Sequence, residues 1–272
     1  MRLLTACLFT LLFSAGCYEN RVDCLDPDAT NYDVRADEAC PDGCCEYPEF
    51  RLDVARMWGD TTLASVDELT DGTGNSFEIT RFRFYLSELE LGTTGGAVIA
   101  ENLVETTVLA GNDSLLTEIN ANLVLIESTG STVESAGTVR TGNLPLTQVR
   151  GLFGTSDVFP AVIPAEAPAG SPLATKEGLL NFNDGNGYLL GSLELLFLPD
   201  STTRRVDLTG NLPLELPFGG EVAPLRGFDL TVEVAANYQF LLGNLDLRAD
   251  DETLDAALRA RLPNFLTVTG LR

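Results

Sequence analysis

The residues best equipped for chemistry crowd one short polar stretch, CLDPDATNYDVRADEACPDGCCEY, at positions 24–47. Cys24, Cys40, Cys44 and Cys45 supply four thiols. In an exported protein an even count implies two disulfides. A bond between the neighbours Cys44 and Cys45 is strained and is discounted. Cys24–Cys45 with Cys40–Cys44 is preferred, and Cys24–Cys44 with Cys40–Cys45 stays open. A four-thiolate zinc or iron–sulfur site is the metal alternative and needs reduced cysteines. Asp26, Asp28, Asn31, Asp33 and Asp37 lie between the cysteines. Oxygen donors at alternating positions are what calcium needs. The spacing is not an EF-hand, with no glycine sixth and no Glu twelfth. The same side chains also serve as turn and helix caps.

Such groups need a compartment and a support. Arg2 precedes an apolar run from Leu3 to Phe13, too short to stay in a bilayer as a helix. Ser14, Ala15 and Gly16 lead into Cys17. Small residues before a cysteine after an apolar run form the lipobox of bacterial lipoproteins, although Ser14 stands where leucine is usual. The expectation is a signal peptide over 1–16, cleavage before Cys17, and acylation of Cys17. The lipid would then hold the chain at the outer membrane, on its periplasmic or surface face. An ordinary cleaved signal is the alternative. Residues 17–48 form the anchor site and acidic module. With no hydrophobic periodicity, the module depends on its disulfides.

Composition excludes several activities. Forty Asp and Glu face 17 Lys and Arg, for a net charge of −23. Such a chain repels phosphate backbones, so no nucleic-acid partner is expected. There is no histidine. That removes Ser-His-Asp catalysis, histidine-bound zinc or haem and ordinary copper sites. Paired carboxylates could hydrolyse glycosides without histidine. The carboxylates read as scattered over strand faces, so the chain is not expected to be an enzyme.

Residues 49–272 read as an all-β body, an antiparallel β-sandwich with a short C-terminal helix. Phe50, Leu52 and Val54 alternate with Arg51 and Asp53. Phe82, Phe84 and Leu86 do the same, then the phase slips to Leu89 and Leu91, which predicts a bulge near Ser87. Further strands are expected at Leu103–Leu109, Leu123–Glu127, Leu146–Phe153, Tyr188–Leu198, Arg205–Leu208 and Phe228–Val234. In the last, Phe228, Leu230, Val232 and Val234 point inward and Asp229, Thr231 and Glu233 outward. Asp113–Ile119 reads as a short helix. Leu254, Ala257, Leu258 and Leu262 mark the C-terminal helix, with acids at 250–252 before it and Pro263 after it. Residues 159–175 read as a long loop of functional or disordered type. No internal repeat and no second core with its own boundary is evident. Trp58 reads as a half-buried structural residue, with a remnant or altered redox site as the alternative.

Two resemblances follow from these residues. Cys24, Asp26, Ala29, Asn31, Tyr32, Cys45 and Tyr47 match a short module of exported bacterial proteins, Cys-x-Asp-x-x-Ala-x-Asn-Tyr then Cys-x-Tyr. Cys40 and Cys44 are additions to it. The run Phe77 to Ser87, with Gln148 to Gly154 and Leu180 to Tyr188, resembles the MbnP-like proteins over roughly residues 50–268. That resemblance implies an exported β-sandwich that binds copper, often beside a dihaem peroxidase-like partner. The family's signature tryptophans fall at Phe182 and Asp184, its methionine at Leu180, and its Gly-Tyr at Gly187 and Tyr188. In that family copper sits on histidines and a tryptophan-derived kynurenine. Here those ligands are missing, so copper is implied by the resemblance but not by the residues. If an ion binds, calcium on the acidic module is expected. The chain therefore reads as a non-catalytic, lipid-anchored envelope binding protein. The alternative is a structural or adhesive surface lipoprotein that binds a protein or calcium.

Overall fold

The structure is a computed structural model, and it describes residues 19–41, 43–64, 67–111, 113–128, 133–157, 159–176, 182–183 and 187–272. The expected signal peptide and Cys17 lie outside these residues, as do Leu180 and Asp184. Among the described residues no helix is long and apolar enough to cross a membrane.

In chain order the strands begin with β1 (Val22–Asp23), β2 (Glu38–Ala39), β3 (Glu49–Trp58), β4 (Thr61–Thr62), β5 (Leu69–Thr70) and β6 (Ser76–Thr93). They continue with β7 (Gly96–Ile99), β8 (Leu103–Ala110), β9 (Asp113–Asn120), β10 (Val124–Glu127), β11 (Val133–Thr138) and β12 (Leu146–Gly154). After these come β13 (Phe182–Asn183), β14 (Gly187–Tyr188), β15 (Gly191–Leu198), β16 (Thr202–Leu208), β17 (Asn211–Val222) and β18 (Leu230–Asn237). The chain ends with α1 (Tyr238–Leu242), α2 (Asp251–Arg261) and β19 (Leu266–Leu271).

Two sheets carry the body. The larger has eight strands, in the order β16-β15-β6-β12-β17, with β5, β7 and β10 also pairing with β6. The smaller has the order β11-β3-β18-β19, with β4 on β3. Nearly all pairs are antiparallel, but β3 and β18 run parallel. Between the sheets, Phe50, Leu52 and Val54 of β3 meet Phe82, Phe84 and Leu86 of β6 in one core. Phe265 packs there on Phe84 and Tyr238, with ring centroids 5.7 and 5.2 Å apart.

The bulge expected near Ser87 is present. Leu152 pairs with Ser87 and Arg150 with Glu90, so Glu88 and Leu89 together face Gly151. Glu88 has φ +51, a conformation that a side chain rarely takes. A second register shift, where Glu194 meets Arg81 and Leu195 meets Ile79, moves the inward set from Phe77 and Ile79 to Phe82 and Phe84.

The C-terminal helix α2 is built as its caps dictate. Asp250 accepts from the Thr253 amide at 2.9 Å, Leu254 and Leu258 are buried, and Arg259 and Arg261 occupy the last turn.

Two expectations are corrected. Asp113–Ile119 is not a helix: it is most of β9, paired residue by residue with β8 from Asn120↔Leu103 to Asp113↔Ala110. Leu115, Leu116 and Ile119 imitate helical spacing, but the β-branched partner Val104-Glu105-Thr106-Thr107-Val108 favours a ladder, and Gly111 at φ +68 allows the tight turn. Phe228 does not point inward; it precedes β18 in a turn and is 67% exposed, whereas Thr231 is buried. A second hydrophobic cluster lies on the other face of the large sheet. There Tyr85, Leu125, Ile119, Phe159, Val162, Leu173 and Tyr188 are buried together. The loop over 159–175 supplies Phe159, Val162 and Leu173 to it, and Val162 bridges Val108 of β8.

Candidate functional site

Three places hold the groups singled out by sequence, and a fourth was not foreseen. In the module, disulfides join Cys24 to Cys45 and Cys40 to Cys44, with Cα separations of 5.1 and 6.1 Å. The sulfurs of Cys40, Cys44 and Cys45 lie within 4.8 Å of one another, but each is held in a disulfide and offers no thiolate to a metal.

The five oxygen donors of the module are not brought together as a ligand cage. Asp26 accepts from the Asp28 amide at 3.0 Å and the Tyr47 hydroxyl at 3.0 Å, and it pairs with Arg140 of the body. The Asp28 amide bond, with smaller contributions from Tyr47 and Arg140, holds the Asp26 carboxyl below its ordinary value. Asp28 meets Arg226 at 2.6 Å. Asp33 accepts from Arg35 at 3.1 Å and pairs with Arg21, and the Arg35 bonds lower its carboxyl to about 2. Asn31 ties the Cys44 carbonyl (2.7 Å) to the Glu46 amide (3.0 Å). Asp37 accepts from the Arg21 amide at 3.0 Å. Each group is spent on a turn or an arginine. Arg21 and Arg35 are in the module itself, whereas Arg140 and Arg226 belong to the body.

The signature positions of the resemblance form an aromatic pack. Phe182 and Tyr188 face each other across β13 and β14, with centroids 5.3 Å apart and edge-to-face. Tyr188 meets Tyr85 at 5.9 Å, again edge-to-face. The Tyr188 hydroxyl donates to the Leu173 carbonyl at 2.8 Å, and the Tyr85 hydroxyl to the Pro172 carbonyl at 2.8 Å. Burial raises the Tyr188 phenol well above its ordinary value. Gly187 takes φ +69 at the turn into this strand. Trp58 sits elsewhere, half-buried on the inter-sheet core and 6.1 Å from Phe77.

The unforeseen feature is an open cleft of about 660 Å³ on the outer face of the large sheet. One wall is β9, through Glu118, Ile119 and Asn120. The other is a row across three strands, Glu90 of β6, Arg150 of β12 and Glu215 of β17, which the ladders place side by side. Arg150 Nε lies 2.9 Å from Glu90 Oε1. The bulge adds Glu88 to the same wall, and Asn122 holds the bulge by exchanging 3.3 Å bonds with the Leu89 backbone. Ile99, Phe159 and Pro213 give the cleft an apolar part. Thus four carboxylates that look scattered in the sequence share one cleft with a single guanidinium. Sequence reading missed it because the apolar spacing of β9 is helical, and because β6, β12 and β17 are neighbours only through distant pairing. The phase slip at Ser87 was the one available signal.

No family model matches the chain, and no curated protein matches it. Among solved structures, MbnP from Methylosinus trichosporium is similar, with 12% identity over 75% of this chain and 80% of that one and a TM-score of 0.45.

Proposed function

We propose that the chain is a non-catalytic, lipid-anchored binding protein of the bacterial cell envelope. The apolar run before Cys17 and the disulfide-closed module support export and anchoring. The copper chemistry implied by the sequence resemblance does not reside at the signature positions. The observation that carries this is the packing of Phe182, Tyr188 and Tyr85, with both tyrosine hydroxyls used on backbone carbonyls. A phenol held neutral by burial is a poor metal ligand. Titration of copper into the delipidated protein tests this. Heat too weak for a nanomolar site is expected, and stoichiometric nanomolar copper would overturn the reading.

Recognition of a protein partner, the alternative to a small ligand or metal, is favoured by one further observation. The cleft is open and is bordered by β9, a strand with one edge unpaired among the described residues. That form suits a polypeptide better than a buried small molecule.

A further inference from the structure

We infer that β9 accepts a basic, extended polypeptide segment as an added strand, running into the cleft; this rests on the reading of the chain as a binding protein. β8 and β9 form a two-stranded sheet of their own. β8 occupies one edge of β9, and residues of β9 but none of β8 line the cleft. The cleft therefore meets the C-terminal end of β9, at Glu118, Ile119 and Asn120, away from β8. Among the described residues no backbone bond engages the other edge of β9 from 113 to 119. A row of unmet amides and carbonyls is a template for another strand. Natural edges are blunted by lysine, proline or a covering loop. β9 has neither lysine nor proline, and its Leu115 and Leu116 are 57% and 60% exposed.

Charge complementarity selects the occupant. Glu88, Glu90, Glu118 and Glu215 border the cleft, against Arg150 alone. Glu118 also stands directly opposite Glu105 in the hairpin, a like-charge pair that weakens the ribbon. A segment carrying Lys or Arg at alternating positions would relieve that repulsion while its backbone completes the ladder. On the other face of the ribbon its intervening apolar side chains would lie beside Leu115 and Ile119. A second copy of this chain fits poorly, since a net charge of −23 and Glu118 would meet themselves. A single divalent ion fits poorly too, because these carboxylates do not converge on one point.

The test uses the full mature chain in detergent and a fluorescent eight-residue peptide of alternating lysine and valine, followed by anisotropy. Three comparison peptides are used: lysine replaced by glutamate, two valines replaced by proline, and the lysine–valine order scrambled into two blocks. Binding in the micromolar range is expected for the alternating peptide. The glutamate, proline and block peptides should each bind at least about tenfold more weakly. Hydrogen exchange should slow at amides within 113–119 on binding. E118K should weaken the alternating peptide about tenfold, yet leave the hairpin as stable or more so, because the introduced lysine would then face Glu105. Equal binding of the proline peptide would mean adsorption by charge alone and overturn strand addition. So would protection elsewhere, no binding at millimolar peptide, or a dimer abolished by E118K. Intact mass of the same preparation reads the anchor and copper separately. An acylated, copper-free chain that ignores the peptide defeats this inference alone, whereas bound copper or a missing lipid defeats the parent reading.

Discussion

Asp28 and Arg226, 198 residues apart in the chain, meet with Oδ1 and Nε 2.6 Å apart. With Asp26–Arg140, and with Arg140 stacked 4.6 Å from the Tyr47 ring, this contact seats the acidic module on the end of the sandwich. Gly227 lies beside it at φ +73, and a Cβ there would come 2.8 Å from the Ala29 carbonyl. Among the described residues the module and body share no hydrophobic cluster, so the seating is polar and steric. Gly227→Ala should therefore loosen the module, costing about 1–2 kcal/mol locally. Proteolysis within residues 33–48 should accelerate while the melting of the sandwich barely moves. Arg226→Ala should do the same more weakly, by under about 1 kcal/mol, since the pair is only half-shielded from water.

Acid should release the module before it unfolds the body. The Arg35 bonds lower the Asp33 carboxyl to about 2 from 3.8. The Asp26 carboxyl is lowered by the Asp28 amide and by Tyr47 and Arg140. A depressed carboxyl contributes stability that is complete above its unfolded value of 3.8 and disappears as pH falls through its folded value. Protection of the module against protease should hold to about pH 4 and fall between pH 4 and 2. Asp33→Asn should weaken that acid dependence, leaving the part carried by Asp26, and lower protection at neutral pH.

Within the body, Asp71 is the matching case. Burial raises its carboxyl, but the Asn75 side chain (2.8 Å) and the amides of Asn75, Leu247 and Thr73 outweigh that and leave it lowered. Its Oδ2 accepts from the Leu247 amide at 3.1 Å and so ties the turn before β6 to the segment before α2. Asp71→Ala should destabilise the sandwich by about 2–3 kcal/mol, because several buried donors lose their acceptor. Urea denaturation measures this.

The bulge in β6 is held by Gly151. A Cβ at that position would lie 2.6 Å from the Ser87 carbonyl. Gly151→Ala should cost about 1–3 kcal/mol and turn Glu88 away from the cleft. Denaturant midpoints give the first effect. The second should appear as loss of the lysine–valine peptide's affinity, with α2 and the smaller sheet unchanged in hydrogen exchange.

Tyr188→Phe would leave the Leu173 carbonyl without its 2.8 Å donor. A cost of about 1–2 kcal/mol is expected in thermal melting, with no change in metal content.

Local signals carried much of the fold. Alternation at Phe50–Val54 and Phe82–Leu86 placed the two faces of the core, and Asp250, Asp251, Glu252 and Pro263 framed α2. The slip at Ser87 was legible because two phases of alternation meet there. What could not be read depends on distant pairing. β9 becomes a strand only because β8 lies beside it. Phe228 leaves the core because Gly227 turns the chain against Ala29 before β18 starts. The aspartates of the module look like ion ligands until Arg140 and Arg226 arrive from more than 100 residues away. The cleft needs three strands in register before Glu90, Arg150 and Glu215 become neighbours.

Native mass spectrometry of the protein extracted in detergent from its own envelope tests the central claim most directly. The account predicts a chain beginning at Cys17 with the added mass of acyl groups, two disulfides, and no retained copper. A chain beginning elsewhere without lipid, or one carrying stoichiometric copper, would contradict it.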